Sequence, residues 1–261
     1  MPGALLTSVL LSVGFSTVLG MSLGLCAKKI PERRRGLILG FAAGVMLSAA
    51  MFGLISPAFS GDDLFSVLSA AVGVCAGAFS ISFLDKVVPH LHHIVGTGNE
   101  ESHANVNTKN KALLFVLAIG LHKFPEGLAT GVSFGTGDIG EVLMVAGAIS
   151  IQNIPEAFVI VSPLAAIGVE SKRIAAISFS IALVGVVSVL LGYSLVSVFS
   201  GAVPFMLGAA GGAMVYVISD EMIPETHSSG NERLATYSLI GGMLLVIFLQ
   251  LGVEKLQKCF L

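Results

Sequence analysis

His122-Lys123-Phe124-Pro125-Glu126-Gly127 and Gln152-Asn153-Ile154-Pro155-Glu156 each stand near the middle of a long apolar run. Charge is expensive there. A carboxylate or ammonium at the centre of a membrane helix costs about 2.5–3.5 kcal/mol even on the lenient insertion scale. A chain that accepts this cost several times, in two matching segments, uses those groups.

The surrounding composition sets the kind of fold that carries them. Of 261 residues, 54% are hydrophobic and 11% charged, and the mean hydropathy is +0.91. Soluble domains carry about a quarter charged residues, so the chain reads as an all-α integral membrane protein. The net charge of −2 gives no sign of a nucleic-acid partner. Cys26, Cys75 and Cys259 lie far apart, form no CxxC pair and imply no disulfide framework. They read as small apolar residues. The first apolar run is longer than a signal-peptide core and lacks a cleavage site, which predicts a retained helix. The whole of 1–261 is expected to be one transmembrane domain, with no soluble domain at either end.

A span needs about 20 mostly apolar residues. That rule predicts eight transmembrane helices, near 4–26, 37–58, 64–86, 112–134, 142–167, 173–198, 203–222 and 236–254. An even count puts both termini on one side. Lys28, Lys29, Arg33, Arg34 and Arg35 follow the first span. Lys86, Lys109 and Lys111 follow the third, Lys172 and Arg173 the fifth, and Arg233 the seventh. The alternate loops hold Asp62, Asp63, Asp138 and Glu141 instead, and only Lys255 and Lys258 oppose the pattern. The positive-inside rule therefore makes the basic loops cytoplasmic and both termini extracytoplasmic. The longest connection, 88–110, is polar, poor in apolar residues and expected to be flexible. With Pro89-His90-Leu91-His92-His93 at its start and His103 within it, this loop either captures a transition metal or is an ordinary solvated segment.

His122 and Glu126 are four apart and share one helix face; Gln152 and Glu156 repeat the spacing on the next helix. Two such faces turned toward each other offer one imidazole nitrogen, two carboxylates and an amide oxygen. That is a four-ligand shell suited to a divalent ion such as zinc. No thiolate or methionine cluster accompanies it, which argues against Cu(I) and leaves Zn²⁺, Fe²⁺, Mn²⁺ and Cd²⁺ open. Pro125 and Pro155 each precede their glutamate and cannot donate to the carbonyls of Leu121 and Ile151. This predicts a kink and a free carbonyl in each helix beside a central cation site. Glu221-Met222-Ile223-Pro224-Glu225 repeats the pattern a third time, with Asp220 and His227 close by. With Asp85, His90 and His92, the residues Asp220 and Glu221 would make an acidic cytoplasmic exit; ordinary helix-end polarity is the competing reading.

These residues resemble the ZIP family of divalent-metal transporters, over essentially the whole chain. The helix-4 pattern of that family, His-Asn-x-Pro-Glu-Gly, is matched by His122, Pro125, Glu126 and Gly127. Its bacterial helix-5 pattern, Gln-Asn-x-Pro-Glu-Gly, is matched by Gln152, Asn153, Pro155 and Glu156. The resemblance implies a transport site of His122, Glu126, Gln152 and Glu156 and exit ligands at Asp85, His90, His92 and Glu221. It also implies a homodimeric importer in the cell (inner) membrane, with an elevator-like bundle movement. Lys123 stands where the family commonly has Asn, and Ala157 replaces the second motif's Gly. Some members hold a second metal with that Asn and with acids on helices 5 and 6. Here helix 5 offers Asn153, and the sixth span has no carboxylate. One transport metal per subunit is therefore expected, with the Lys123 ammonium in the second cation's place, balancing Glu126 and Glu156. Lys123 and Asn153 would then stand behind the ligands rather than among them.

The expected activity is import of a divalent transition metal, Zn²⁺ foremost, toward the cytoplasm, with no enzyme activity and no prosthetic group. No Gly-x-x-x-x-Gly-Lys-Ser/Thr loop is present, so direct ATP drive is not expected. An intramembrane zinc-dependent hydrolase is the alternative, but no His-Glu-x-x-His element supports it. A metal sensor would need an attached signalling domain, and none is seen.

Overall fold

The protein is described by a computed structural model over residues 2–27, 31–87, 122–166, 168–227 and 230–260. The loop 88–110, with His90, His92 and His103, and the side chain of Asp85 lie outside the described residues. Within them every regular element is helical. In lipid a lone segment satisfies its backbone polar groups only by coiling on itself, which is why apolar runs of this length become helices.

The elements in order are α1 (Pro2–Ala27), α2 (Glu32–Ala50) and α3 (Leu64–Val87). α4 is described over 122–132 and ends in a 3₁₀ turn, Ser133–Thr136. α5 (Ile139–Ala166), α6 (Ser171–Val198), α7 (Val203–Val217) and α8 (Glu232–Phe260) follow. Seven helices among the described residues are long and apolar enough to cross a membrane. α2 starts earlier than its expected 37, because Pro31 opens the helix and its carbonyl accepts from Arg34 and Arg35 N–H. Those arginines therefore sit in the first turn of α2, not in a loop. At the opposite end of the bundle Asp63 caps α3, accepting from the Ser66 hydroxyl at 2.6 Å and from Ser66 N–H at 2.9 Å. Those bonds hold the Asp63 carboxyl below its ordinary range, the hydroxyl contributing most. α5 ends in a Schellman turn around Gly168 at φ 80°, with Val169 N–H bonded to the Leu164 carbonyl and Gly168 N–H to that of Ala165.

Two helices carry a wide turn. After Ala50, α2 continues through a π segment, Met51–Ile55, into Ser56–Ala58; after Val217, α7 continues through Ile218–Met222 into Ile223–His227. Ser56 N–H reaches back to the Met51 carbonyl, and Ile223 N–H to that of Ile218. The residue after each is a proline, Pro57 and Pro224. Proline withholds an N–H and crowds the carbonyl four residues earlier, and an extra residue in the preceding turn relieves both problems. Helix remains unbroken, by contrast, through Pro125 and Pro155.

Packing sorts the helices into two groups joined at one seam. α1 lies along α5 and α6, α3 along α7, and α8 along α2, while α2 and α5 meet between the groups. α4 joins α6: a Cβ on Gly131 would stand 2.6 Å from Tyr193 N and 2.8 Å from Gly192 Cα. One apolar core still runs through the seam, including Val13, Val45, Met46, Val145, Ile149 and Met214. Between α3 and α7, Gly73 and Gly77 lie against the Phe205 and Ala209 backbone, and Gly208 and Gly212 against that of Ala70 and Val74, with no room for a Cβ, as small residues allow in membranes. A Cβ on Gly212 would stand 2.8 Å from the Val74 backbone, whereas Gly252 has open space. Gly212→Val is therefore expected to destabilise the protein by about 1–3 kcal/mol through overpacking. A lowered melting temperature in detergent, with Gly252→Ala unchanged, is the measurement that checks it.

Candidate metal centre

α4 and α5 turn their polar faces toward each other. Lys123 is 2% exposed and among the largest fully buried side chains, with Glu126 at 2% and Glu156 at 8% beside it. The Lys123 ammonium donates to Glu156 Oε2 at 2.5 Å, to Glu126 Oε2 at 2.6 Å and to Asn153 Oδ1 at 2.7 Å. An ammonium has three N–H groups, and all three are used. Gln152 Nε2 donates to Glu126 Oε2 at 2.9 Å and to Asn153 Oδ1 at 3.0 Å. The cluster thus joins i and i+3 positions of α4 to three successive polar positions of α5.

Among the described residues, two acceptors in this cluster, Glu126 Oε1 and Gln152 Oε1, are fully buried without a hydrogen-bond partner. A buried polar atom without a partner costs about 1–3 kcal/mol, and natural structures keep few of them. Oxygens of this kind, on a carboxylate and an amide, suit a hard or borderline dication. Among the described residues, however, no group of three or more His, Cys, Asp and Glu converges to hold a metal ion. The geometry gives the reason. The ammonium lies between the two glutamates, and His122 is turned elsewhere.

His122 Nε2 stands 2.8 Å from Glu221 Oε1, with both side chains about one-seventh exposed (15% and 14%). An ionised carboxylate only accepts, so in this contact the proton sits on Nε2. Glu221 lies in the π segment of α7. A residue expected in the transport site and one expected at the exit thus touch directly. Of the third motif, Glu225 pairs with Arg35 of α2, Asp220 is exposed, and His227 Nε2 is 3.5 Å from Thr236 Oγ1.

The structure therefore brings Glu126, Gln152 and Glu156 together around Lys123 and Asn153, and turns His122 to Glu221 of the α7 π segment. It adds α1, which sequence reasoning left out. Asn153 Nδ2 donates to Ser16 Oγ at 3.3 Å and to the Val13 carbonyl at 3.5 Å, and Ser150 Oγ donates to Ser12 Oγ at 3.2 Å. Ser8, Ser12 and Ser16 recur four apart along α1, which was the available signal.

The chain is similar to known proteins over most of its length. Residues 96–250 match the family model described as ZIP Zinc transporter. "Zinc transporter ZIPB" of Bordetella bronchiseptica is 38% identical over 245 residues, covering 91% of this chain and 78% of that protein. "Zinc transporter GufA" of Myxococcus xanthus is 37% identical over 257 residues, covering 96% and 99%. "Zinc transporter ZIP11" of Xenopus tropicalis is more distant, 27% identical over 292 residues, covering 82% and 87%. With the paired motifs of α4 and α5 in one buried cluster and the match spanning most of its length, this chain is an integral membrane protein that belongs to the ZIP family, in its bacterial form.

Proposed function

We propose that the chain imports a divalent transition metal, Zn²⁺ before Fe²⁺, Mn²⁺ or Cd²⁺, toward the cytoplasm through a site between α4 and α5. The observation that carries this reading is the pair of buried, unpartnered oxygens, Glu126 Oε1 and Gln152 Oε1, inside a charged cluster at membrane depth. Glu126, Gln152, Glu156 and His122, the last swung away from Glu221, are the ligands. The relatives, named as zinc transporters, favour Zn²⁺.

Three charges govern the site. Two carboxylates and one ammonium sum to −1, so one dication leaves the site at +1. The ammonium already bridges Glu126 and Glu156, the place a second metal would need. One ion per subunit is the consequence. The ion exchanges hydration for these ligands, then passes to Glu221, which the His122 contact puts within one step. Asp85, His90 and His92 continue the path on the cytoplasmic side. Binding must replace hydration without trapping the ion. The two helix groups, with α4 and α5 in one and Glu221 in the other, favour movement of one group past the other. A homodimer in the cell (inner) membrane, with both termini extracytoplasmic, completes the reading.

Metal uptake into proteoliposomes tests it. The protein is expected to accumulate Zn²⁺ over protein-free vesicles and to prefer it in competition with Fe²⁺, Mn²⁺ and Cd²⁺. Glu156→Ala is expected to lose on the order of tenfold in uptake, the worth of one charge-assisted contact. Transport by the variant equal to that of the parent would refute the ligand assignment. Vesicles that take up no metal would refute the transport itself.

A further inference from the structure

The Asn153 amide faces groups of opposite kind at its two ends. Oδ1 accepts from the Lys123 ammonium at 2.7 Å and from Gln152 Nε2 at 3.0 Å. Nδ2 faces the Val13 carbonyl at 3.5 Å and Ser16 Oγ at 3.3 Å, both on α1. An ammonium only donates, and a backbone carbonyl only accepts. Ser16 gives its own proton to the Val13 carbonyl at 3.0 Å, so its oxygen is left to accept. The amide therefore has one permitted orientation. A carboxylate at 153 would set an oxygen against the Val13 carbonyl, and an apolar residue would serve neither end. Asn153 is 0% exposed, so water substitutes for none of these partners.

We propose that Asn153 is a positioning residue. It seats the Lys123 ammonium on the Oε2 atoms of Glu126 and Glu156, and so keeps Glu126 Oε1 and Gln152 Oε1 open to the transported ion. The proposal rests on the metal-transport reading above. Its logic is a count of donors and acceptors. The ammonium has three N–H groups and three acceptors, and Asn153 supplies the only neutral one. Without it, one buried N–H must find another oxygen. Among the described residues, the fully buried acceptors without a partner are the two that the metal needs. The ammonium then competes with the ion for its own site. Through the same amide, the Val13–Ser16 turn of α1 becomes part of the metal-binding machinery while supplying no ligand.

A double-mutant cycle on the full chain in detergent tests this, using Asn153→Ala, Lys123→Met and the double variant. Zn²⁺ affinity is read by competition with a chromophoric chelator, and the melting temperature is read without metal. Asn153→Ala is expected to weaken Zn²⁺ binding about tenfold, the worth of one hydrogen bond to a charged group. In the Lys123→Met background the same change is expected to cost less than about twofold, because the residues act as a unit. The metal-free melting temperatures should show the same non-additivity. Equal losses in both backgrounds would mean that Asn153 supports structure independently of the ammonium, and the proposal would fall. If Asn153→Ala does not fold, Ser16→Ala removes only the outer anchor. It should weaken Zn²⁺ binding about threefold, and that loss should vanish beside Lys123→Met; a persistent loss overturns the proposal. A parent protein that binds no Zn²⁺ but shows coupled melting temperatures would overturn the metal reading and leave the seating of Lys123 by Asn153 standing.

Discussion

Lys123→Met is expected to destabilise the metal-free protein by about 3–5 kcal/mol, the usual cost of removing one partner from a buried ionic cluster. The side chains are close in volume, so packing contributes little. What is lost is the countercharge. Glu126 and Glu156 share the ammonium at 2.6 and 2.5 Å, and both are nearly inaccessible to water. Without it, two carboxylates face each other in a medium that screens poorly, and one must take up a proton or the helices must part. At about 1.4 kcal/mol per tenfold, the folding equilibrium falls by more than a hundredfold. The melting temperature in detergent with a chelator present measures it. The second half of the expectation is a rescue. If a dication and the ammonium are alternatives in the same place, Zn²⁺ should stabilise Lys123→Met more than it stabilises the parent. At about 100 times its dissociation constant a ligand adds about 2.7 kcal/mol. The variant should also bind more than one Zn²⁺ per chain where the parent binds one. A variant as stable as the parent without metal would show that the ammonium carries no structural charge balance. Lys123→Asn with unchanged transport would show that its charge is dispensable for movement of the ion.

The fold was legible because lipid removes alternatives. Long apolar runs have one way to satisfy their backbone, and the ends of α3, α5 and α6 fall within a few residues of the expected spans. The tight stretch from Gly208 to Gly212 was legible as a helix contact for the same reason, since small residues at a four-residue spacing let backbones meet. The pairing of Lys123 with Glu126 and Glu156 was expected because Lys123 stands where the resembled family has Asn, and an ammonium in mid-span reaches water only with difficulty. Three features could not be read. The π turns before Pro57 and Pro224 depend on how much room the neighbouring helix leaves for an added residue. The amide of Asn153 meets Val13 and Ser16 from a point more than a hundred residues away in sequence. The partner of His122 depends on where α7 lies beside α4. Spacing set His122 on the face of Glu126, yet the imidazole turns to Glu221, 99 positions along the chain.

That last contact separates binding from release, and two variants should move them in opposite directions. His122→Ala is expected to weaken Zn²⁺ binding by more than about a hundredfold, since even groups behind a metal's ligands cost about 10–100-fold when lost. Glu221→Ala should tighten binding instead. An incoming ion must draw His122 away from a carboxylate 2.8 Å off, and a hydrogen bond to a charged group is worth about 1.5–3 kcal/mol. Freed of it, His122 is available at no such cost, and affinity should rise about tenfold. Uptake should nevertheless slow, because in the proposed path Glu221 is the acceptor next in line. From the π turn of α7, on the helix group opposite α4 and α5, it would receive the ion as the groups shift. Zn²⁺ affinity in detergent and initial uptake rates in proteoliposomes are the two readouts. Tighter binding with slower uptake in Glu221→Ala, beside loss of both in His122→Ala, is the pattern of a relay in which one residue holds the ion and the next withdraws it. Weaker binding in Glu221→Ala would instead make Glu221 a ligand of the bound ion, and the site would span both helix groups.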